Sequence, residues 1–141
     1  MKFDYFKFPL ERESAIFGRS ILKPIIPIKV SAGTSTLRYA ALIDSGADFC
    51  IFDAEIGEVL GLDIQKGSKE PFGGIQEKGG AVAFIHKIII NIGGWDYQVE
   101  AGFSYDIAKW GYGILGQKGF FDTFVVKFDL AKEEIELKER K

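Results

Sequence analysis

Cysteine, histidine and methionine are scarce in the sequence, since each occurs once among 141 residues. A single cysteine, Cys50, excludes an intrachain disulfide and a structural zinc site built from cysteines. The single histidine, His86, cannot be half of a metal site made of histidines. The longest apolar runs, such as residues 88–90, are far too short to span a bilayer, which takes about 20 residues. We therefore expect no bound metal and no membrane segment.

Charge is also close to balance, with 18 lysines and arginines against 20 aspartates and glutamates. No basic stripe is present, which gives no reason to expect a nucleic-acid partner. The first 18 residues are interrupted by charges and contain no signal-peptide apolar region. Neither common phosphate-binding glycine pattern occurs in the chain. These observations lead us to expect a cytoplasmic protein that requires no cofactor.

The composition favours a single domain rich in β-structure, because the 17 glycines cluster around turns. Strands are predicted at 37–43, 81–92 and 95–103, and Gly93-Gly94 predicts a hairpin between the last two. The apolar segment 21–30 is predicted to be an edge or bulged strand, because Pro24 and Pro27 have no backbone N–H to donate within a sheet. Residues 67–80 are the loosest region because of their glycines and Pro71. Residues 123–130 and 135–137 are expected to pair as a terminal hairpin.

Helices are expected to be few and short. Asp53 can cap a helix that carries Ile56, Val59 and Leu60 on its apolar side and ends at Gly61. A second brief helix is predicted at 118–122. The fold class is therefore all-β (mainly β), a closed barrel with one or two short helices in one domain, 1–141. Residues 1–20 are either a removable N-terminal extension or part of the barrel, and both alternatives stay open.

The stretch Leu42-Ile43-Asp44-Ser45-Gly46-Ala47 is the most informative part of the chain. It places a carboxylate in a turn directly after an apolar strand, where an aspartate is poor both as a strand residue and as a core residue. The Ser45 hydroxyl can brace such a turn, and Gly46 allows close approach of backbone or ligand. A carboxylate in this setting is a candidate catalytic group.

This motif, followed by a glycine-rich hairpin around 72–80 and then by Gly113-Ile114-Leu115-Gly116, resembles the retropepsin-like aspartic proteases. The resemblance covers roughly residues 27–137. It implies a single-lobe acid-protease-like barrel that hydrolyses peptide bonds in extended polypeptides. Such hydrolysis needs two carboxylates that share a proton, one acting as general base on water and the other as general acid. Because two close carboxylates cannot both ionise cheaply, the pKa of one is raised and the pair titrates as a unit.

The chain contains the motif only once, since Asp122-Thr123 is followed by Phe124. The second carboxylate must therefore come from another chain, which predicts a symmetric homodimer with both Asp44 residues at its two-fold axis. The resemblance makes Asp44 the catalytic residue. Active-site support is assigned to Ser45, Gly46, Leu115 and Gly116. Substrate-binding roles are assigned to Gly46, Ala47, Asp48, Phe49, Ile51, Phe72, Gly73, Gly74, Ile75 and Ile114, with Phe72 to Ile75 as the flap tip.

Two departures from the family pattern leave open an alternative to the protease interpretation. Gln117 stands where retroviral members often carry an arginine that ties Asp48 into the dimer interface, and glutamine cannot form a bidentate ion pair. The segment 132–141 is highly charged, so the terminal intersubunit sheet of viral enzymes is open to doubt. The alternative is a non-catalytic dimerisation or peptide-binding module of the same fold. A weaker one is an unrelated small-ligand barrel in which Asp44 is an ordinary turn residue.

The remaining chemically distinctive side chains favour structural roles. Cys50 has no identifiable base partner and is interpreted as a small buried hydrophobe. His86 lies in a predicted strand and is interpreted as a structural residue. Trp95 and Trp110 flank turns and are interpreted as packing residues, although Trp110 lies in a loop that could reach a substrate cleft.

Overall fold

A computed structural model describes residues 1–73 and 80–140, and these form a mainly β protein. The strands are β1 Lys2–Asp4, β2 Phe6–Ser14, β3 Gly18–Lys23, β4 Ile25–Ala32, β5 Ser35–Ile43, β6 Ile51–Asp53, β7 Ser68–Pro71, β8 Val82–Ile92, β9 Trp95–Ser104, β10 Gly113–Leu115, β11 Phe124–Asp129 and β12 Glu134–Glu139. The helix α1 spans Ala54–Val59, and 3₁₀ turns span Ile64–Lys66 and Tyr105–Trp110. None of the described helices is long and apolar enough to cross a bilayer.

Six strands close into a barrel in the order β4-β5-β10-β6-β9-β8, and β8 returns to pair with β4. One edge of β8 pairs with β9, while its other edge is shared between β7 and β4. Closure pairs strand edges that would otherwise be open to other chains. The interior is filled by branched and aromatic side chains, including Ile26, Val30, Phe52 and Phe103, all fully buried. The predicted mainly β class and closed barrel are confirmed.

The pairing of β10 with β5 brings the residues that follow these two strands together at one end of the barrel. These strands run parallel, with Ile114 opposite Leu42 and Leu115 opposite Ile43. The residues that follow two adjacent parallel strands emerge at the same edge of the sheet. Asp44 and Gly116 are therefore neighbours in space although 72 positions separate them in the chain.

A three-stranded sheet, β1-β12-β11, forms from both chain termini. Phe3 lies opposite Ile135, and Ile135 and Leu137 are buried in the same core as the barrel interior. The Met1 ammonium group donates to the Leu137 carbonyl, and the Leu137 N–H donates back to Met1. The predicted terminal hairpin is confirmed, and β1 of the same chain flanks it.

The N-terminal strands β2 and β3 form a hairpin that the sequence reasoning did not predict. The segment 21–30 was expected to be one edge or bulged strand. The structure instead divides that segment at Pro24, which lacks the N–H needed to continue a ladder. The Pro24 carbonyl accepts a hydrogen bond from Ile43 N–H at 2.9 Å. The end of β3 therefore lies beside the end of β5.

The two helix predictions had different outcomes. Helix α1 is confirmed, since the Asp53 side chain accepts from Glu55 N–H at 3.0 Å and the helix ends before Gly61. Its expected apolar side is only partly right, because Leu60 is buried but Val59 is 68% exposed. The predicted helix at 118–122 is wrong, because that segment is a series of turns. Gly119 adopts a φ of 100°, which no right-handed helix contains, and its N–H is bound by the Asp122 carboxylate at 3.0 Å.

Candidate active site

Asp44 is half-buried in a tight turn at the end of β5, and backbone groups hold it in place. Its N–H donates to the Leu115 carbonyl at 3.0 Å, which continues the pairing of β5 with β10 by one residue. Its Oδ1 accepts from Gly46 N–H at 2.9 Å, and its carbonyl accepts from Ala47 N–H at 3.1 Å. This Asx-type turn fixes one carboxylate oxygen and leaves the rest of the carboxylate facing a cleft.

The segment after β10 is bound along the Asp44 turn. Gln117 N–H donates to the Ala47 carbonyl at 2.8 Å, and Lys118 N–H donates to the Asp48 carbonyl at 2.9 Å. Gly116 permits this close approach, since a Cβ there would lie 2.4 Å from the Phe49 carbonyl oxygen. The two glycine-containing segments are therefore joined by backbone hydrogen bonds and closely packed.

The Gln117 side chain adds a further bond between these two segments. Its amide Nε2 donates to the Ser45 carbonyl at 2.6 Å, from the far side of the turn that carries Asp44. Sequence reasoning noted Gln117 only as a departure from an expected arginine. The position of Gln117 directly after Gly116 was the only hint of this role in the sequence. The bond itself could not be predicted, because it forms only where the segments around residues 45 and 117 come together in the fold.

A cleft of about 340 Å³ opens in front of Asp44. Its described lining is mixed, since apolar side chains alternate with polar surface that includes the two acidic residues Asp44 and Asp48. The lining residues are Asp44, Gly46, Ala47, Asp48, Phe49, Ile51, Phe72, Gly73, Trp110 and Ile114. Phe49 and Phe72 meet edge to face, with their ring centroids 6.3 Å apart, and connect the Asp44 side of the cleft to the β7–β8 hairpin.

The structure brings together every predicted substrate-binding residue that it describes, because all of them line this cleft. Of the predicted supporting residues, Leu115 is fully buried behind the turn and Ser45 is exposed on it. The predicted flap residues Gly74 and Ile75 lie outside the described residues. The described residues on either side of that segment are paired. Strand β7 pairs antiparallel with β8, and Phe72 N–H donates to the Ala81 carbonyl at 2.9 Å.

Trp110 is a lining residue that the sequence reasoning did not commit to the site. It ends the 3₁₀ turn Tyr105–Trp110, and Ile107 from the same turn is buried against Ile51 and Ile114. The turn is thus anchored beneath the cleft by Ile107, while Trp110 is 44% exposed at its edge. The available signal was a large aromatic residue next to Gly111 in a loop between two predicted strands.

The other reactive side chains lie outside this lining. The Cys50 thiol is buried, and burial raises its pKa from 9.0 to about 12. It therefore stays protonated at neutral pH and is no nucleophile. His86 Nε2 bonds to the Ile64 carbonyl at 2.8 Å, and its ring packs edge to face on Phe103. Within residues 1–73 and 80–140, no three potential metal ligands of the His, Cys, Asp or Glu types cluster together.

No family model matches the chain, and no curated protein matches it significantly. Twelve chains of solved structures are similar to it. Among them is EIAV protease complexed with the inhibitor HBY-793, at 20% identity and a TM-score of 0.46. That comparison covers 67% of this chain and 82% of the viral one. A likeness at this identity and TM-score does not establish a family.

Proposed function

We propose that this chain is one half of a homodimeric aspartic endopeptidase that hydrolyses peptide bonds in extended polypeptides. The observation that carries the proposal is that backbone hydrogen bonds hold Asp44 facing a cleft of about 340 Å³ whose walls are in part apolar. A half-buried carboxylate held by backbone bonds is positioned for proton transfer. The apolar parts of these walls suit side chains of an extended peptide.

The proposed mechanism uses Asp44 from each of two chains. The two carboxylates share one proton, and the ionised one removes a proton from a water molecule. The water oxygen attacks the peptide carbonyl carbon, while the protonated carboxyl donates its proton to the carbonyl oxygen. The carboxyl that took the proton from water then gives it to the leaving nitrogen as the carbon–nitrogen bond breaks. At the same time the other carboxylate takes a proton from a hydroxyl group of the tetrahedral diol, which re-forms the carbonyl and leaves the dyad with its one shared proton.

A second copy of this chain is the simplest source of the missing carboxylate. Asp48 is the other acidic residue in the described lining, but it is exposed and is not held by the backbone bonds that orient the Asp44 carboxylate. Ser45 and Gly46, which flank the carboxylate, are exposed and free of bulky side chains. A matching turn could therefore approach this one closely about a two-fold axis.

The substrate is proposed to lie along the cleft in extended form. Among the described hydrogen bonds, the Gly46 carbonyl and the Asp48 N–H are the backbone groups of residues 46–48 that have no partner, and we propose that they bind the peptide main chain, as in strand addition. Ile51, Ile114 and Phe49 offer apolar surface for alternate side chains. Phe72 and Gly73 lie on the opposite side and would cover the bound peptide, which excludes water from the reaction.

The decisive experiment compares wild type with Asp44→Asn on a diverse peptide mixture at acidic to neutral pH, with mass spectrometric detection. We expect cleavage to fall by at least about 100-fold, the scale of a lost acid–base group. Asp63→Asn is the matched control, since Asp63 is an exposed carboxylate outside the cleft. Circular dichroism and sedimentation check that fold and association are unchanged.

Two results would contradict the proposal. Cleavage that persists in Asp44→Asn would rule out the Asp44 mechanism. A wild-type dimer that binds peptides but cleaves none across this pH range would favour the non-catalytic binding module.

A further inference from the structure

A second and larger cleft, of about 570 Å³, adjoins the Asp44 cleft. It lies between the N-terminal hairpin, the outer faces of β4 and β5, and the segment that follows the 3₁₀ turn Tyr105–Trp110. Its main walls are Phe6, Phe8, Ile25, Pro27, Trp110 and Tyr112. No charged side chain occurs in the described part of its lining. Its volume lies within the range of natural ligand sites, about 300–1,000 Å³.

Trp110 connects the two clefts, because it lines both of them. A peptide that leaves the Asp44 cleft past Trp110 therefore meets the larger apolar cleft next. Side chains alternate along an extended chain that advances about 3.3 Å per residue, so a residue several positions from the scissile bond can face it. The continuity through Trp110 favours the substrate peptide as the occupant.

The hairpin supplies an ordered aromatic wall to this cleft. Phe6 and Phe8 meet edge to face, with centroids 5.9 Å apart, and the Lys23 ammonium lies 4.9 Å from the Phe8 ring centroid. Strands β2 and β3 pair only with each other among the described residues. An isolated two-stranded hairpin is marginal in water, and Phe6 is 47% exposed. Apolar contact on this wall would therefore stabilise both the hairpin and its ligand.

We infer that this cleft binds a bulky apolar side chain of the same peptide that is held at Asp44, at a position remote from the scissile bond. The inference rests on the proposed function and specifies its substrate class. Phe8 and Phe6 are then specificity-determining residues. The apolar lining selects aromatic or large aliphatic side chains against small polar ones.

The test uses matched peptides that differ at one remote position at a time, with either Phe or Ser there. For the wild type, we expect kcat/KM at one such position to favour Phe by about tenfold or more, from burial of a large apolar side chain. In Phe8→Ser this ratio should fall towards one, and Phe8→Leu should restore most of it. Phe17→Ser is the matched control, since Phe17 is exposed at the hairpin turn and lines neither cleft.

Phe6→Ser serves as a second variant. Circular dichroism of both Phe6→Ser and Phe8→Ser shows whether either variant is misfolded. An undiminished Phe-to-Ser ratio in the folded variants would overturn the inference. So would weakened self-association of Phe8→Ser in sedimentation with its peptide selectivity intact, because the cleft would then hold a second copy.

Binding separates this inference from the proposed function. Fluorescence anisotropy with labelled Phe and Ser peptides on Asp44→Asn measures selectivity without turnover. Phe-selective binding that Phe8→Ser abolishes supports the cleft even if the wild type cleaves nothing. Asp44-dependent cleavage without selectivity at a remote position would support the proposed function but contradict the inferred binding role of the second cleft. Absence of binding to either peptide also counts against the cleft.

Discussion

At the scale of single residues, the candidate site depends on groups that brace Asp44 more than on chemically unusual side chains. One carboxylate oxygen is held by Gly46 N–H, the backbone N–H of Asp44 by Leu115, and the turn itself by Gln117. The carboxylate therefore keeps its orientation without a neighbouring cation within the described hydrogen-bond network. Such preorganisation is what proton transfer in a cleft requires.

Gln117→Ala tests whether the side-chain bond to Ser45 contributes to this orientation. We expect the free energy of unfolding to fall by about 1 kcal/mol, the usual net value of one hydrogen bond. The proposed peptidase kcat should fall more than KM rises, because the turn that carries Asp44 loses a support. Urea unfolding and steady-state kinetics measure both effects.

Gln98→Ala is the matched control for this variant, since Gln98 is exposed on β9 away from the site. Gln117→Glu should be no better than Gln117→Ala, because a carboxylate cannot donate to the Ser45 carbonyl. Identical behaviour of Gln117→Ala and Gln98→Ala would show that the bond contributes nothing.

At the scale of elements, the short strand β6 and the short helix α1 show how capping residues end one element and begin the next close to the site. Strand β6 delivers Ile51 to the cleft and then passes directly into α1, whose N-cap is Asp53. This helix is only six residues long, and Ala54 and Gly57 are buried against the core. A helix this short is too brief to be stable alone, so its cap and its packing both matter.

Asp53→Ala should lower the free energy of unfolding by about 1 kcal/mol, because the Glu55 N–H loses its side-chain acceptor. Asp53→Asn keeps an acceptor at the same place and should lose much less. Thermal or urea unfolding of the two variants gives the comparison. Equal destabilisation by alanine and asparagine would mean that the charge of Asp53, and not its capping bond, is what stabilises the helix.

Element prediction succeeded where the signal was local. The Gly93-Gly94 turn, strands β8 and β9 and the capped helix follow from residue types within a few positions of one another. The helix expected at 118–122 failed because Gly119 adopts a positive φ in contact with Asp122. The β2–β3 hairpin was missed because β2 is mostly exposed, contains Pro9, and follows its short alternation of Phe6, Phe8 and Leu10 with three charged residues.

At the scale of the whole molecule, the proposed function predicts that one chain is catalytically incomplete. The barrel, the terminal sheet and the hairpin are all built within one chain, whereas the described cleft holds a single Asp44. The end of β3 lies beside the end of β5 through the Pro24 carbonyl, so the hairpin begins next to the expected two-fold axis.

Mixing of wild type with Asp44→Asn tests this incompleteness. If chains exchange freely between dimers, an equal amount of the variant should reduce wild-type activity to about half, and a large excess should abolish it, because mixed dimers hold one carboxylate. Asp63→Asn in place of Asp44→Asn should not inhibit. Activity that is independent of added Asp44→Asn would contradict the shared dyad.

The sequence by itself determined the local pattern: a mainly β chain, a capped short helix, and a carboxylate in a serine–glycine turn after an apolar strand. Backbone preferences and side-chain periodicity act over a few residues, so they can be read directly. Only the tertiary structure decided that β5 and β10 run parallel, that Gln117 supports the Asp44 turn, and that Trp110 joins two clefts. These features arise when segments about 70 residues apart pair and pack, and no local preference specifies which distant segments will meet.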